Sequence, residues 1–365
     1  MLLTVLSFVL VMSLLVFAHE LGHFLVAKRN HIVVEEFAFG FPPRLVKLGE
    51  RGGTVYSINA IPFGGYVRMR GEDDPSLPGS FASASKLART ATLLAGATMN
   101  FIVAIALFTA MTMITGVPDA NRPGALIGGV APGSPAEQAG LRTGDRIVAA
   151  GAAALMSAGD LKTYTDSHLG EPIVYRIERG AAGAGAPQSL EFTIVPRVNP
   201  PPNQGALGVQ IGLAYRPARV WEALGAGVGM TGEIIAMTFL VPATLIREGR
   251  PISEAGFMGP VGIAAATGEV VRSALAVDSI LPILSFVALL SAALGITNLL
   301  PIPALDGGRL LFVLVEAIRG KRVEPAQESL VHMVGFGMLL LLVGVITVRE
   351  IGALLNGTFP TLGLH

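Results

Sequence analysis

Four long apolar stretches divide the chain, and each is long enough to cross a lipid bilayer as a helix, which takes about 20 apolar residues. These stretches predict transmembrane helices at about 2–27, 87–116, 280–300 and 330–348. A fifth stretch, at about 224–246, carries Glu233, is rich in glycine and is interrupted by Pro242. We interpret this fifth stretch as a helical segment that lies at the membrane interface or re-enters without crossing.

The polar intervals predict a β-hairpin and one soluble domain. Alternation around a Gly-Gly pair over 54–69 predicts a cytoplasmic-side hairpin, whose apolar tip at 61–63 either dips into the membrane interface or stays in the cytosol. Residues 117–198 alternate in short segments with glycine turns, which predicts a small α+β domain, and 199–279 form a linker that holds the interfacial segment. The predicted fold is a polytopic α-helical membrane protein with four transmembrane helices, its core built from 1–116 and 280–365.

Composition agrees with an integral membrane protein. The chain is 52% hydrophobic and only 14% charged, with a mean hydropathy of +0.62, whereas ordinary globular chains are about 25% charged. The 26 basic residues balance the 26 acidic ones, so no nucleic-acid partner is indicated. The absence of cysteine excludes disulfides and thiolate metal ligands. The first apolar stretch lacks a basic leader and is too long for a signal peptide, so we expect it to be retained.

Basic residues indicate the orientation, because short loops rich in lysine and arginine stay in the cytoplasm. Two intervals between predicted helices are rich in basic residues and are expected in the cytoplasm. The N-terminus and the large middle region are then expected on the outer side of the membrane. The basic residues of the first interval are Lys28, Arg29, Arg44, Lys47, Arg51, Arg68, Arg70, Lys86 and Arg89, and those of the second are Arg309, Arg319, Lys321 and Arg322.

The most distinctive polar residues lie inside the first apolar stretch, as His19, Glu20 and His23 in the motif HELGH. Ionisable side chains are costly in hydrocarbon and mark functional sites there. On a helix, HExxH places two imidazoles on one face beside a carboxylate, which is the arrangement of a zinc site with a general base. The motif also arises by chance on solvated helices, but in an apolar span that alternative leaves three polar side chains without partners.

A catalytic zinc site usually has three protein ligands, so one ligand is missing from HELGH. The candidate is Asp306 in NLLPIPALDGGR, where prolines end the third predicted helix near its inner end. Unwound backbone is tolerated at membrane depth where it lines a cavity. Asp306 is alternatively a turn residue, but its position in the same leaflet as HELGH favours a ligand. This pairing requires 224–246 not to cross, since one more crossing would move Asp306 to the opposite face.

The segment SPAEQAGLRTGDRIV (134–148) closely resembles bacterial PDZ domains, and the resemblance extends over 117–198. PDZ domains bind an extended peptide by adding it as a strand. The alternative is a domain that only restricts access to the membrane site. For peptide binding, the resemblance implies a groove strand formed by Gly124, Ala125, Leu126, Ile127 and Gly128.

Several motifs together resemble the site-2 protease family of intramembrane zinc metalloproteases, in particular its bacterial regulator-of-sigma-E protease branch. HELGH, GATMNF in the second predicted helix, the PDZ-like domain and NLLPIPALDGG follow one another in the family's order, and IPFGGYVRM and GPVGI match as well. The resemblance covers nearly the whole chain. Two features depart from it: Ala97 replaces a proline that many members have after Gly96, and only one PDZ-like domain is present, which puts selection by tandem domains in doubt.

The resemblance implies that Zn²⁺ is bound by His19, His23 and Asp306 and that Glu20 is the catalytic base. The candidates for substrate binding or oxyanion stabilisation are Asn100, Asn298 and Pro301. For the two asparagines, helix–helix hydrogen bonding is the alternative.

The implied reaction is hydrolysis of peptide bonds within or near the transmembrane segments of single-pass membrane proteins, such as anti-sigma factors or signal-peptide remnants. An upstream site-1-type protease is the implied partner. The implied location is the bacterial inner membrane, with the zinc site toward the cytoplasm and the PDZ-like domain outside. A metal transporter is the competing hypothesis, but no internal repeat supports it. An inactive scaffold leaves the HExxH and aspartate set unexplained.

Overall fold

The computed structural model describes residues 2–119, 122–180, 187–202, 204–251 and 258–356, so parts of the predicted soluble domain and linker lie outside the description. The chain divides into two compact units, Met1–Met113 with Val220–His365, and Ile114–Arg219. The helices are α1 (Leu2–Arg29), α2 (Lys86–Thr115), α3 (Pro135–Gln138), α4 (Ala158–Asp166), α5 (Val220–Arg247), α6 (Pro260–Ala276), α7 (Leu281–Leu299), α8 (Asp306–Arg319) and α9 (Pro325–Leu355). The strands are β1 (Val34–Arg51), β2 (Thr54–Met69), β3 (Val117–Pro118), β4 (Ala125–Val130), β5 (Arg146–Ala150), β6 (Ala153–Ala154), β7 (Ile173–Arg179), β8 (Gln188–Ile194), β9 (Val209–Gly212) and β10 (Tyr215–Arg216).

Long apolar helices dominate the first unit. Among the described residues, five helices are long and apolar enough to cross a membrane, namely α1, α2, α5, α7 and α9. The chain is therefore a multi-pass membrane protein, and the number of crossings stays a prediction. The fifth helix, α5, runs without interruption through Pro242. Membrane helices tolerate proline because neighbouring groups can satisfy the freed carbonyl.

Close approach between helices depends on small residues. Gly227 of α5 packs so tightly on α2 that a Cβ atom there would lie 2.6 Å from the carbonyl oxygen of Ile105. Gly22 of α1 lies against the backbone of Ala95 in the same way. Small residues permit such backbone contacts between helices. In lipid, where no hydrophobic effect drives helices together, this close packing is what stabilises their association.

Residues 54–69 do not form the predicted hairpin, although they are β-structure. They make one strand, β2, which pairs antiparallel with β1 across the Gly52–Gly53 turn. Both strands bend, because Phe37 lies opposite both Val67 and Tyr56, while Val46 lies opposite Ile58. The sheet therefore has four segments, in the order 65–69, 34–39, 54–59 and 44–51.

The predicted turn at Gly64–Gly65 has a different function. A Cβ atom at Gly64 would lie 2.6 Å from Val16, and one at Gly65 would lie 3.0 Å from the Cβ and Cγ atoms of Glu20. The two glycines therefore allow the 65–69 edge of the sheet to pack directly on α1. Sequence reasoning took them for a turn because turns and close backbone contacts both need glycine.

The second unit is a sheet with its own apolar core. Its strand order is β8–β7–β5–β4–β9, with β6 beside β5, and β3 pairs with β10. Tyr175, Ile147 and Ile127 are fully or almost fully buried in the core. The predicted groove strand at 124–128 is wrong, since β4 is paired with β5 on one side and with β9 on the other. The edge strand next to β4 is β9, which comes from the segment interpreted as linker.

Candidate metal centre

The two histidines of HELGH lie one helical turn apart on the inward face of α1. His19 and His23 are only 7% and 5% exposed, although the helix around them is apolar. Their rings are 4.7 Å apart between centroids and nearly perpendicular. The i, i+4 spacing produces this arrangement, because side chains four residues apart stack on one helix face.

Asp306 reaches the same point from a tight connection after α7. The chain leaves α7 at Leu300, turns through Pro301–Leu305 and starts α8 at Asp306. The next two glycines are required, because a Cβ atom at Gly307 or Gly308 would overlap backbone carbonyls of this connection. The Asp-Gly-Gly sequence thus directs the carboxylate back towards α1.

Three ligand atoms converge on one point. Asp306 Oδ2 lies 3.1 Å from His19 Nε2 and 3.2 Å from His23 Nε2, and the two Nε2 atoms are 3.1 Å apart. Within the described residues, this trio meets the spacing needed for a metal site. Zinc bonds of about 2.0–2.1 Å in tetrahedral geometry separate ligand atoms by about 3.3 Å. The trio therefore fits three corners of a zinc tetrahedron and leaves the fourth corner free.

Gly96 of α2 keeps space open beside these atoms. A Cβ atom at Gly96 would overlap His23 Nε2 and would lie 2.6 Å from His19 Nε2. Any side chain at this position would thus enter the space into which both imidazoles point their metal-binding nitrogens. The GATMNF motif therefore contributes to the centre through Gly96, which has no side chain and leaves this space open. Sequence reasoning assigned no such role to Gly96.

The outer nitrogen of each imidazole contacts α2. The carbonyl of Thr92 accepts a hydrogen bond of 2.7 Å from His23 Nδ1, so Nε2 is left free for a metal. Asn100 approaches His19 Nδ1 within 3.2 Å through Nδ2, and its buried Oδ1 has no hydrogen-bond partner. Turning the amide by 180° lets Oδ1 accept the Nδ1–H proton that a zinc-binding histidine carries. The orphaned oxygen thus fits a metal-loaded His19.

Asn100 is fully buried behind His19, so it does not line the space open to a substrate. In this structure Asn100 is a positioning contact for His19, and its role as a substrate-binding or oxyanion group stays a prediction. Asn298 donates from Nδ2 to the Leu294 carbonyl one turn back, and Pro301 is an exposed residue of the connection before Asp306. Their contacts with a substrate stay a prediction.

α9 holds the connection that carries Asp306, a function that sequence reasoning missed. The backbone N–H of Ala304 donates to His332 Nδ1 at 3.0 Å. Ala304 has a positive φ of 79°, which is unusual for a residue with a side chain. Gly335 lets α9 approach so closely that a Cβ atom there would overlap Pro303. The sequence feature that could have indicated this function is His332, a histidine in an apolar helix. His332 lies outside the metal centre and holds the connection that carries the ligand Asp306.

Glu20 lies between the histidines and the sheet. Its Cβ and Cγ atoms pack against Gly65, and the backbone N–H of Val67 is directed at its carboxylate. The backbone N–H of Arg70 donates to the Val33 carbonyl, on the β1 side of the strand. Successive backbone N–H groups of a strand point to opposite sides, so the N–H of Val67, three residues earlier, points away from β1 and towards the free edge. The free edge of the sheet therefore faces the carboxylate beside the metal-binding atoms.

We predict that Gly96→Ala abolishes zinc binding, because the added methyl group occupies space beside both Nε2 atoms. The measurement is zinc content by elemental analysis of purified protein. Gly344→Ala in α9 is the matched control, since a Cβ atom there meets nothing within 4 Å. Full zinc content in Gly96→Ala would contradict the assignment of the metal to this space.

Comparison with known proteins agrees with this centre. Residues 7–342 match the sequence profile of peptidase family M50. The zinc metalloprotease RasP of Oceanobacillus iheyensis is 30% identical over 95% of this chain and 98% of its own length. RasP of Geobacillus kaustophilus is 29% identical over 95% and 97%, and a protein of Rhizobium meliloti is 33% identical over 93% and 94%. The chain is thus a zinc metalloendopeptidase of the site-2 protease type and belongs to peptidase family M50.

Proposed function

We propose that this protein hydrolyses peptide bonds within or near the membrane-spanning segments of single-pass membrane proteins. The observation that carries the proposal is the convergence of His19, His23 and Asp306 at the buried face of an apolar helix in a multi-pass membrane protein. Ligands in that position serve a substrate that arrives from within the bilayer. Cleavage of anti-sigma factors or signal-peptide remnants is the specific form we propose.

His19, His23 and Asp306 would hold the zinc ion. When bound, zinc lowers the pKa of a coordinated water molecule and polarises a carbonyl oxygen. Glu20 then accepts the proton of the attacking water at its carboxylate and delivers it to the leaving amine. Thr92 and Asn100 contact the Nδ1 atoms of His23 and His19 and thereby fix the orientation of both rings. The lone pairs of the two Nε2 atoms therefore keep their direction throughout the reaction.

The sheet is proposed to hold the substrate in an extended form. A transmembrane helix conceals its peptide bonds in internal hydrogen bonds, so it must unwind before attack. Residues 65–69 offer a free strand edge that faces Glu20, and strand addition would satisfy the backbone of an unwound segment. Segment 54–59, by contrast, is paired on both sides and has no free edge.

We further propose that α5 does not cross the membrane, which leaves four transmembrane helices. The support comes from α6, whose Gly268 packs against Thr4 of α1. Thr4 lies fifteen residues before His19, about 22 Å along the helix. Gly259, just before α6, donates its N–H at 2.6 Å to Glu350, eighteen residues beyond His332 on α9. Gly259 and Gly268 thus both contact parts of α1 and α9 that lie far along these helices from the metal centre.

A crossing of α5 would require an immediate return. Gly227, near the start of α5, packs against Thr109 in the half of α2 beyond Asn100. If α5 crossed from there, only residues 248–258 would remain to bring the chain back to Gly259. A helix of that length is about 16 Å long, too short for a hydrocarbon core of about 30 Å, and an extended crossing would leave backbone polar groups unsatisfied in lipid.

The proposed orientation places the metal centre toward the cytoplasm and the second unit outside. The basic intervals around the sheet and from Arg309 to Arg322 support this orientation. We propose that the second unit is a PDZ domain, which either binds an extended peptide or excludes substrates with large external domains. An upstream protease that shortens substrates outside the membrane is the partner this arrangement implies.

The catalytic prediction distinguishes the role of Glu20 as general base from the role of Asp306 as zinc ligand. Glu20→Gln should retain zinc but lose at least 99% of peptide cleavage, because an amide cannot accept the water proton at neutral pH. Asp306→Ala should lose both zinc and cleavage. Cleavage of a reconstituted single-pass substrate and zinc content are measured on the same samples. Cleavage by Glu20→Gln near the wild-type rate would refute the proposed mechanism.

The strand-edge prediction concerns Val67. Val67→Pro removes the N–H at the free edge without breaking a bond to β1, so the protein should bind zinc but cleave a membrane substrate at least ten times more slowly. Val67→Ala, which loses side-chain packing but keeps the N–H, is the control and should retain most activity. Equal rates for the two variants would rule out a role for this edge.

The topology prediction uses single cysteines, since the chain has none of its own. A cysteine replacing Glu248 after α5, or Ser157 in the second unit, should react with an impermeant maleimide added outside intact cells. Cysteines replacing Ser83 and Lys321 should react only after permeabilisation. Protection of the Glu248 position in intact cells would show that α5 crosses.

A further inference from the structure

A groove in the second unit runs along the free edge of β9, beside α4. Two cavities of about 200 and 210 Å³ lie in this groove and share Ala158 and Ile211 in their walls, so they are adjacent. The Gly208 carbonyl accepts the N–H of Ala131, and alternation directs the peptide groups of Val209 and Ile211 to the free edge. The groove therefore offers main-chain hydrogen bonds along its length.

The smaller cavity is mainly apolar, while the other ends in two arginines. Leu161, Leu207 and Val209 line the first, which suits small apolar side chains. Arg122 and Arg146 line the second beyond Ile211, together with Asp119. Two guanidinium groups and one carboxylate give this wall a net charge of +1.

Arg146 is buried, and no ion pair of its side chain is present among the described residues. Only 5% of this residue is exposed, and its one hydrogen bond of note is a 3.5 Å contact from Nη1 to the Pro123 carbonyl. Within the described residues, neither Arg146 nor Arg122 forms an ion pair. Burial and then the charge of Arg122 lower the pKa of Arg146, while Glu178 and Asp119 compensate in part. A buried guanidinium stays charged, so an anion that entered this cavity would be stabilised.

We propose that this groove binds an extended polypeptide as a strand beside β9 and that Arg146 with Arg122 forms a subsite for one of its carboxylates. The inference rests on the proposed peptide-binding role of the second unit. A chain antiparallel to β9 enters near Leu213, passes the arginines first and then places apolar side chains against α4. Main-chain bonds provide affinity in such complexes, and side-chain subsites provide the selectivity.

The test uses full-length Glu20→Gln protein in nanodiscs, which cannot consume the probe. Probes are fluorescein-labelled octapeptides of alternating valine and serine, with one glutamate scanned through the serine positions. We expect at least one glutamate position to bind about ten times more tightly than the all-serine parent by fluorescence polarisation. Glutamine at that position should bind like the parent.

Protein variants locate the carboxylate. Arg146→Gln and Arg122→Gln should each abolish the glutamate gain while they bind the all-serine parent normally, which also shows that the groove is folded. Arg176→Gln is the control, since Arg176 pairs with Glu191 and lies in neither cavity wall. Peptides with an amidated C-terminus separate a side-chain carboxylate, whose gain survives amidation, from a terminal one, whose gain does not.

Two results would overturn the inference. One is a carboxylate gain that persists in both arginine variants, and the other is the absence of any gain at any position or terminus. Cleavage of a membrane substrate by the wild-type protein is measured in parallel. Loss of the charge effect with intact cleavage would refute the subsite alone, whereas absent cleavage would refute the proposed protease function.

Discussion

The rest of the structure depends on one constraint: ionisable groups in an apolar helix must find partners inside the protein. His19 and His23 lie in a helix that is otherwise suited to lipid, and their burial is tolerated because Asp306 meets them at 3.1 and 3.2 Å. Leaving any of the three alone would cost several kcal/mol. This requirement explains why α7 ends where it does, why its connection turns back towards α1, and why α9 holds that connection through His332.

Space for the centre is created by residues without side chains. Gly96 leaves room beside the two metal-binding nitrogens, Gly65 admits the sheet edge to Glu20, and Gly307 allows the carboxylate of the preceding residue to approach. In lipid, small residues are also what lets helices pack closely. Packing and chemistry therefore place the same demand on the sequence, and a single added methyl group at these positions would affect both.

The sequence predicted the centre better than the sheets. Helical spacing alone puts His19 and His23 on one face, and apolar length reveals the helices. The sheet was harder to predict, because Pro42, Pro43 and two glycines interrupt the alternation of β1, and because Gly64 and Gly65 resemble a turn. The groove strand was misassigned for another reason: β9 becomes an edge only through pairing with β4, about eighty residues earlier, and sequence spacing does not encode that pairing.

The proposed reaction depends on a single zinc ion held by two imidazoles and a carboxylate within the membrane region. X-ray absorption at the zinc K-edge of the purified, detergent-solubilised protein tests it most directly. We expect one zinc per chain, with two imidazole ligands and oxygen ligands at about 2.0–2.1 Å. A spectrum with only oxygen scatterers and no imidazole signature would contradict it.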